Sequence, residues 1–260
     1  ANPEKVTVAI VAPSVRASWG EEFGLSPEFA TDKRFVATLK SVGFDYVFDA
    51  DFAADLTIME ESSELIARLR EPEKYSWPMF TSCCPGWASF AKTQYPDILP
   101  QLSTAKSPQQ MFGTVIKTYF AQKKGIKPEN ISCVSLMPCL SKKRELTLPG
   151  MDSAGTGHDI DYVLTTREIC RLIKADNIDV TLQPETNFDY PLGEASGAGV
   201  IFGTSGGVLE AALRTAYYKV TGQNPDLGEN SPLKVLRNIS SHKEIEIELG
   251  NKKLHCAAVS

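Results

Sequence analysis

The sequence has no C-x-x-C pair, and only three histidines and six cysteines among its 260 residues. A structural zinc centre needs paired cysteines or a Cys/His cluster. A secreted disulfide scaffold packs many cysteines into a much shorter chain. Both are excluded, and the thiols read as reduced, with the cytoplasm as the default compartment and the periplasm as the second choice. Positive charge is not in excess: 27 Lys and Arg against 32 Asp and Glu leave a net charge of −5. Broad attraction to nucleic acid or to an anionic membrane is therefore not expected. No apolar run reaches the roughly 18 residues that a membrane helix requires. We expect no secretory leader, and the sequence holds no short internal repeat and no low-complexity segment. The chain also lacks an initiator Met, from which we expect that something upstream was removed.

What is present is an alternation of strand-like and helix-like segments, with the ordinary apolar and charged content of a globular protein. Residues 6–13 form an apolar run that ends at Pro-Ser and reads as a buried strand. Thr31 caps a helix over 31–41, Gly43 stops it, and a second strand follows over 44–50. Residues 60–70 read as a helix with acids early and arginines late. Residues 78–84 read as a strand leading to Pro85, where a helix begins. A long helix covers 107–125, a strand 131–139, and a strand over 161–168 feeds a helix over 168–177. Residues 200–222 are glycine-rich and then strongly helical, 225–232 is a loop, and a hairpin turns at Gly250-Asn251. Repeated strand–helix units imply an α/β fold of mostly parallel sheet flanked by helices. We expect two lobes, 1–130 and 131–260, meeting near 126–130, with the active site in the cleft between them.

Two cysteine motifs carry the chemistry. The first is Thr81-Ser82-Cys83-Cys84-Pro85-Gly86-Trp87. The second is Met137-Pro138-Cys139, followed by Lys142 and Glu145. Each sets a cysteine between a strand end and a helix start. Ligands bind at the carboxyl ends of strands in open α/β sheets, and helix N-termini and lysines favour the thiolate. Adjacent side chains diverge along a strand, so Cys83 and Cys84 are expected to do different things. The residues alone leave two readings: small buried thiols, or ligands of a soft metal or iron–sulfur group. Glu61 and Glu64, three apart, share a helix face; on pattern alone they also read as a solvated acidic first turn. Cys133, Cys170 and Cys256 are expected in the core, Trp87 in packing, and Lys106 and Arg214 at the surface or in packing. The run FGTSGG (202–207) is not a phosphate-binding loop, because no Gly-Lys-Ser/Thr follows. Its glycines are expected to allow close backbone approach and to open the next helix.

The segments TSCCPGW (81–87) and MPCLSKKRE (137–145) resemble the first two signature motifs of iron-only (FeFe) hydrogenases. VAPSVR, TIMEESSE, STAKSPQQ, DYVLTTRE and GEASGAGVIFGTSGGVLEAALR extend the likeness along nearly the whole chain. The resemblance implies reversible reduction of protons to dihydrogen at a four-iron four-sulfur cluster joined to a di-iron subcluster with carbon monoxide, cyanide and azadithiolate ligands. It implies Cys84 and Cys139 as cluster ligands, and Cys83 as the thiol that exchanges protons with the bridging amine. Glu61, Ser103 and Glu64 resemble a proton relay with Arg68 near its outer end. Lys142 resembles a lysine that bonds a cyanide ligand. Pro13, Ser14, Gln109, Met137 and Phe202 resemble other residues around the di-iron centre.

The family's third motif, which supplies two further cluster cysteines, does not occur here. We therefore expect the second lobe to be incomplete at its C-terminus, with the chain a fragment or completed by a second chain carrying those cysteines. Four protein thiolates normally hold a cubane, so residues 1–260 alone are expected neither to keep the complete cluster nor to evolve hydrogen. The implied partners are a ferredoxin or other redox protein or domain, and maturation proteins. The competing readings are a non-catalytic iron–sulfur assembly relative, a sensory hydrogenase, and an ordinary α/β enzyme with structural cysteines.

Overall fold

The computed structural model describes residues 4–190, 193–228, 231–238 and 240–259. In chain order the first elements are β1 (Val6–Val11), α1 (Pro13–Ser18), α2 (Asp32–Val42), β2 (Tyr46–Asp49), α3 (Asp51–Arg70) and α4 (Pro85–Gln94). Then come α5 (Pro108–Val115), α6 (Ala121–Lys124), β3 (Ile131–Leu136), α7 (Ser141–Glu145), β4 (Tyr162–Leu164) and α8 (Thr166–Ala175). Last are α9 (Gly197–Phe202), α10 (Gly207–Thr221), β5 (His242–Leu249) and β6 (Lys252–Val259).

The contacts divide the chain into two units, one of residues 1–53 and 108–194, the other of 54–107 and 195–260. The segment 126–130, where a lobe boundary is expected, falls inside the first of these units. That segment leads into β3, which pairs in parallel with β1 from Val6↔Ile131 to Val11↔Leu136. Parallel neighbours are joined by long crossovers, so residues far apart in sequence share one sheet. A composition break between two strand–helix series cannot reveal this.

The first unit is built on a four-stranded sheet in the order β2-β1-β3-β4, with every pair parallel. Val8 to Val11 of β1 are fully buried, as expected for a strand covered on both faces. Thr31 accepts the Arg34 N–H and starts α2, and Gly43 ends it in the left-handed region. Thr165 and Glu168 form a reciprocal capping box on α8. The long helix expected over 107–125 is one helical stretch, α5 and α6 joined by a π-turn at Ile116–Phe120. Because β1 and β3 are parallel neighbours with Val11 opposite Leu136, Pro13–Ser14 and Met137–Cys139 leave the sheet at the same edge. Arg16 ties α1 to the start of α3 through Asp49 and Asp51.

The second unit takes α3 from Ala54 onward, α4, α9, α10 and the antiparallel β5–β6 hairpin. β5 alternates exposed and buried along its length, and its inward Ile245 and Ile247 pack with Leu213, Leu233 and Leu236. Two expectations change here. The strand expected over 78–84 reduces to a single bridge between Phe80 and Leu102. The helix expected over 60–70 begins at Asp51, with the Asp51 N–H donated to the Asp49 carboxylate at 3.0 Å. Glu61 and Glu64 therefore lie in the middle of a 20-residue helix, and the solvated first-turn reading is overturned.

Candidate functional site

In the second unit, α3 presents Glu61, Glu64 and Arg68 at helical spacing. Glu64 Oε1 accepts Arg68 Nε at 3.0 Å and Nη2 at 2.7 Å. Its Oε2 accepts the Ser103 hydroxyl at 2.8 Å, the Thr104 N–H at 2.9 Å and the Thr104 hydroxyl at 3.1 Å. Burial pushes the Glu64 carboxyl upward. The donors from Arg68, Ser103 and Thr104, with the Arg68 charge, outweigh it and hold the group below the usual carboxylate range. Arg68, expected near the outer end of a relay, is only 2% exposed and also donates to the carbonyls of Ser76 and Leu102.

Glu61 behaves differently. It is 1% exposed, and neither carboxylate oxygen has a partner in hydrogen-bond geometry. It borders an apolar cavity of about 340 Å³ that Leu65, Phe80, Leu213 and Cys256 also line. Burial drives its pKa up to about 7; the Ser82 backbone N–H draws it down, and the Glu64 charge adds to the rise. So Glu64 and Ser103 are joined directly, whereas no direct hydrogen bond links Glu61 to either.

The double-cysteine segment is tied to this cluster by Ser82, whose hydroxyl donates to the Ser103 carbonyl at 2.6 Å and the Ala105 carbonyl at 3.2 Å. Beside it, the Phe80 carbonyl accepts the Ser103 N–H and the Phe80 N–H donates to the Gln101 carbonyl. Cys84 is exposed and is the N-cap of α4, its sulfur accepting the Trp87 N–H at 3.4 Å. Cys83 is half-buried. The Trp87 ring packs edge-on against Phe80, as expected.

In the first unit, Cys139 lies between β3 and α7. Burial raises its thiol, but Ser141 and the N–H and charge of Lys142 more than offset that, leaving it below the ordinary thiol value. Met137 is buried and donates its N–H to the Leu164 carbonyl. Gln109, 1% exposed, donates to Glu145 Oε2 at 2.6 Å and to the Lys142 carbonyl at 3.2 Å. Lys142 Nζ reaches the same Glu145 oxygen at 3.2 Å. Pro13 is half-buried and Ser14 exposed, both in α1.

Phe202, half-buried, closes α9 in the second unit. The glycines after it serve the fold itself. A Cβ at Gly207 would lie 1.6 Å from the Ile201 carbonyl oxygen, so the close approach is between α9 and α10. Cys133 and Cys170 are fully buried, with burial pushing their thiols up to about 12 and about 11. Cys256 is only half-buried. Lys106 is half-buried, its carbonyl accepting the Thr57 hydroxyl, and Arg214 pairs with Glu210. Among the described residues, no group of three or more His, Cys, Asp or Glu is arranged to hold a metal ion. No helix among them is long and apolar enough to cross a membrane.

The family model described as "Iron only hydrogenase large subunit, C-terminal domain" matches residues 5–260. The chain belongs to the iron-only hydrogenase family. It is 46% identical over 258 residues to the NADP-reducing hydrogenase subunit HndD of Solidesulfovibrio fructosivorans, covering 98% of this chain and 43% of that protein. It is 34% identical over 261 residues to the cytosolic Fe-S cluster assembly factor narfl of Xenopus tropicalis, covering 97% of this chain and 54% of that one. The solved structure of apo [FeFe]-hydrogenase HydA1 from Chlamydomonas reinhardtii, variant C377H, superimposes with a TM-score of 0.78 at 44% identity. That match covers 95% of this chain and 61% of the HydA1 chain. The chain thus spans about half the length of these hydrogenase-family relatives.

The residues present fit an iron–sulfur group in part. Cys84 at a helix N-terminus and Cys139 with its lowered thiol are suited to act as thiolates, but they supply two donors where a cubane normally uses four. Sequence reasoning gave no role to three neighbours of the candidate residues: Ser82, Thr104 and Glu145. All three sit inside quoted motifs, but nothing in spacing shows that a serine donates to a distant carbonyl or that a carboxylate turns inward.

Proposed function

We propose that this chain is the larger part of the catalytic domain of a hydrogenase that interconverts two protons, two electrons and dihydrogen. The carrying observation is the α3 pair: a buried, unpartnered Glu61 with a pKa about 7 beside a Glu64 held charged by Arg68 and Ser103. A carboxyl that titrates near neutrality can both accept and release a proton under working conditions.

Cys84 and Cys139 hold part of the iron–sulfur group. When bound, the cubane and its di-iron partner, with carbon monoxide, cyanide and azadithiolate ligands, supply the redox chemistry. Lys142 would offer a charge-assisted donor to a cyanide ligand, and Pro13, Ser14, Gln109, Met137 and Phe202 would help to hold the group. Protons move through Glu64, Glu61 and Ser103, which Arg68 braces, to the Cys83 thiol, a residue type that serves as a proton donor where its surroundings tune it. Electrons come from a ferredoxin-type protein or domain, maturation proteins install the di-iron group, and the remaining cluster cysteines come from further chain or a second subunit. The cytoplasm is the favoured compartment.

The test is Cys83→Ala in the full-length gene product. Turnover should fall nearly to zero while iron content stays at the wild-type level. Loss of iron together with turnover would contradict a proton-transfer role. The second reading, an iron–sulfur assembly protein, is supported by the 34% identity to the narfl assembly factor. It calls for iron without cyanide or carbon monoxide, which infrared spectra distinguish.

A further inference from the structure

Glu145 sits where two residues of the proposed site meet. It closes α7 and is 4% exposed. A single oxygen, Oε2, receives the Gln109 amide at 2.6 Å and the Lys142 ammonium at 3.2 Å. Gln109 Nε2 also donates to the Lys142 carbonyl at 3.2 Å. Two acceptors on one side fix which end of the amide faces them. The Gln109 Oε1 is turned elsewhere, buried and without a partner. One carboxylate oxygen thereby sets the direction of two side chains on different helices.

We propose that Glu145 is a positioning residue of this site: it holds the Lys142 ammonium in the orientation that receives the cyanide-bearing iron group, and the Gln109 amide, both of whose N–H groups go to Glu145 and the Lys142 carbonyl, braces that carboxylate. This rests on the reading of Lys142 given above. A carboxylate cannot favour an anionic group by touching it, so Glu145 acts through Lys142. A lysine carries its charge on a long, rotatable stem; the bond to Glu145 uses one of its three N–H donors and removes that freedom before the group arrives. Outer partners of this kind commonly change metal retention by tenfold or more.

The experiment uses the full-length gene product, matured with its cofactor, as wild type, Glu145→Gln, Lys142→Met and the double variant. Read out are the infrared frequencies of iron-bound cyanide, the iron retained after gel filtration, and the melting midpoint of the metal-free protein. Glu145→Gln should shift a cyanide band and lower retention of the di-iron group about tenfold, with the cubane absorbance unchanged and the midpoint lowered no further than in Lys142→Met. Adding it to Lys142→Met should change little. Should Glu145→Gln fail to fold, Glu145→Asp keeps the charge one methylene short and should shift the same band. Wild-type band positions and iron content in Glu145→Gln, or effects additive with Lys142→Met, would overturn the proposal while leaving the hydrogenase reading intact. Absence of cyanide bands from the wild type would defeat both.

Discussion

The Ser103 hydroxyl donates to the Glu64 carboxylate at 2.8 Å, across 39 positions of sequence. That bond, with those from Thr104 and Arg68, keeps Glu64 ionised, while Glu61 one turn earlier has no such donors and titrates near neutrality. Environments that push two neighbouring carboxyls apart are what assign acid and base roles.

Glu61 should make the fold less stable as pH rises. Its folded pKa of about 7 lies above the ordinary carboxylate value of 4.5, so the folded state holds the proton more tightly. The penalty grows from about pH 4.5 and is complete above about 7, where it reaches roughly 3 kcal/mol. Urea titrations of Glu61→Gln should show a stability gain over wild type at pH 8 that vanishes at pH 4.5. An equal gain at both values would disprove the raised pKa.

Glu64 should act with the opposite sign. Its folded pKa is depressed, so its contribution is present above about 4.5 and is lost as pH falls through the folded value. Glu64→Gln should cost about 2–3 kcal/mol at pH 7 through lost charge-assisted bonds, and less at pH 3. Denaturation midpoints unchanged at pH 7 would contradict this account.

The thiols should separate by reactivity in the metal-free chain. Cys84 is exposed and Cys139 has a lowered thiol, whereas Cys133 and Cys170 are buried with raised ones. Iodoacetamide at pH 7 should label Cys84 and Cys139 within minutes and reach Cys133 and Cys170 only on unfolding. Mass spectrometry showing prompt labelling of Cys133 would refute this order.

Gly207→Ala should cost about 3 kcal/mol or more, because its Cβ would collide with the Ile201 carbonyl oxygen. Gly197→Ala in α9 meets nothing within 4 Å and serves as the control. Equal urea midpoints for the two variants would remove the packing argument.

Strand β1, the capped α2 and the β5–β6 hairpin were legible in the sequence because each rests on local signals: a β-branched run, a Thr cap, a Gly-Asn turn. The first turns of α3 were hidden because β2 runs into it with one intervening residue, Ala50, and its N-terminal bond comes from Asp49, inside the strand. Residues 78–84 look like a strand, yet their partner over 101–103 offers only one bridge. The division into units follows parallel pairing between distant segments. The candidate residues were legible through family motifs; the burial of Glu61 and the inward turn of Glu145 depend on tertiary packing that no motif encodes.

The most direct measurement is the infrared spectrum of the full-length, matured protein and of its Cys84→Ala and Cys139→Ala variants. Bands from iron-bound cyanide and carbon monoxide should appear in the wild type and be lost in both variants. An iron-loaded wild type without those bands, or variants that keep them unchanged, would contradict the hydrogenase assignment of this site.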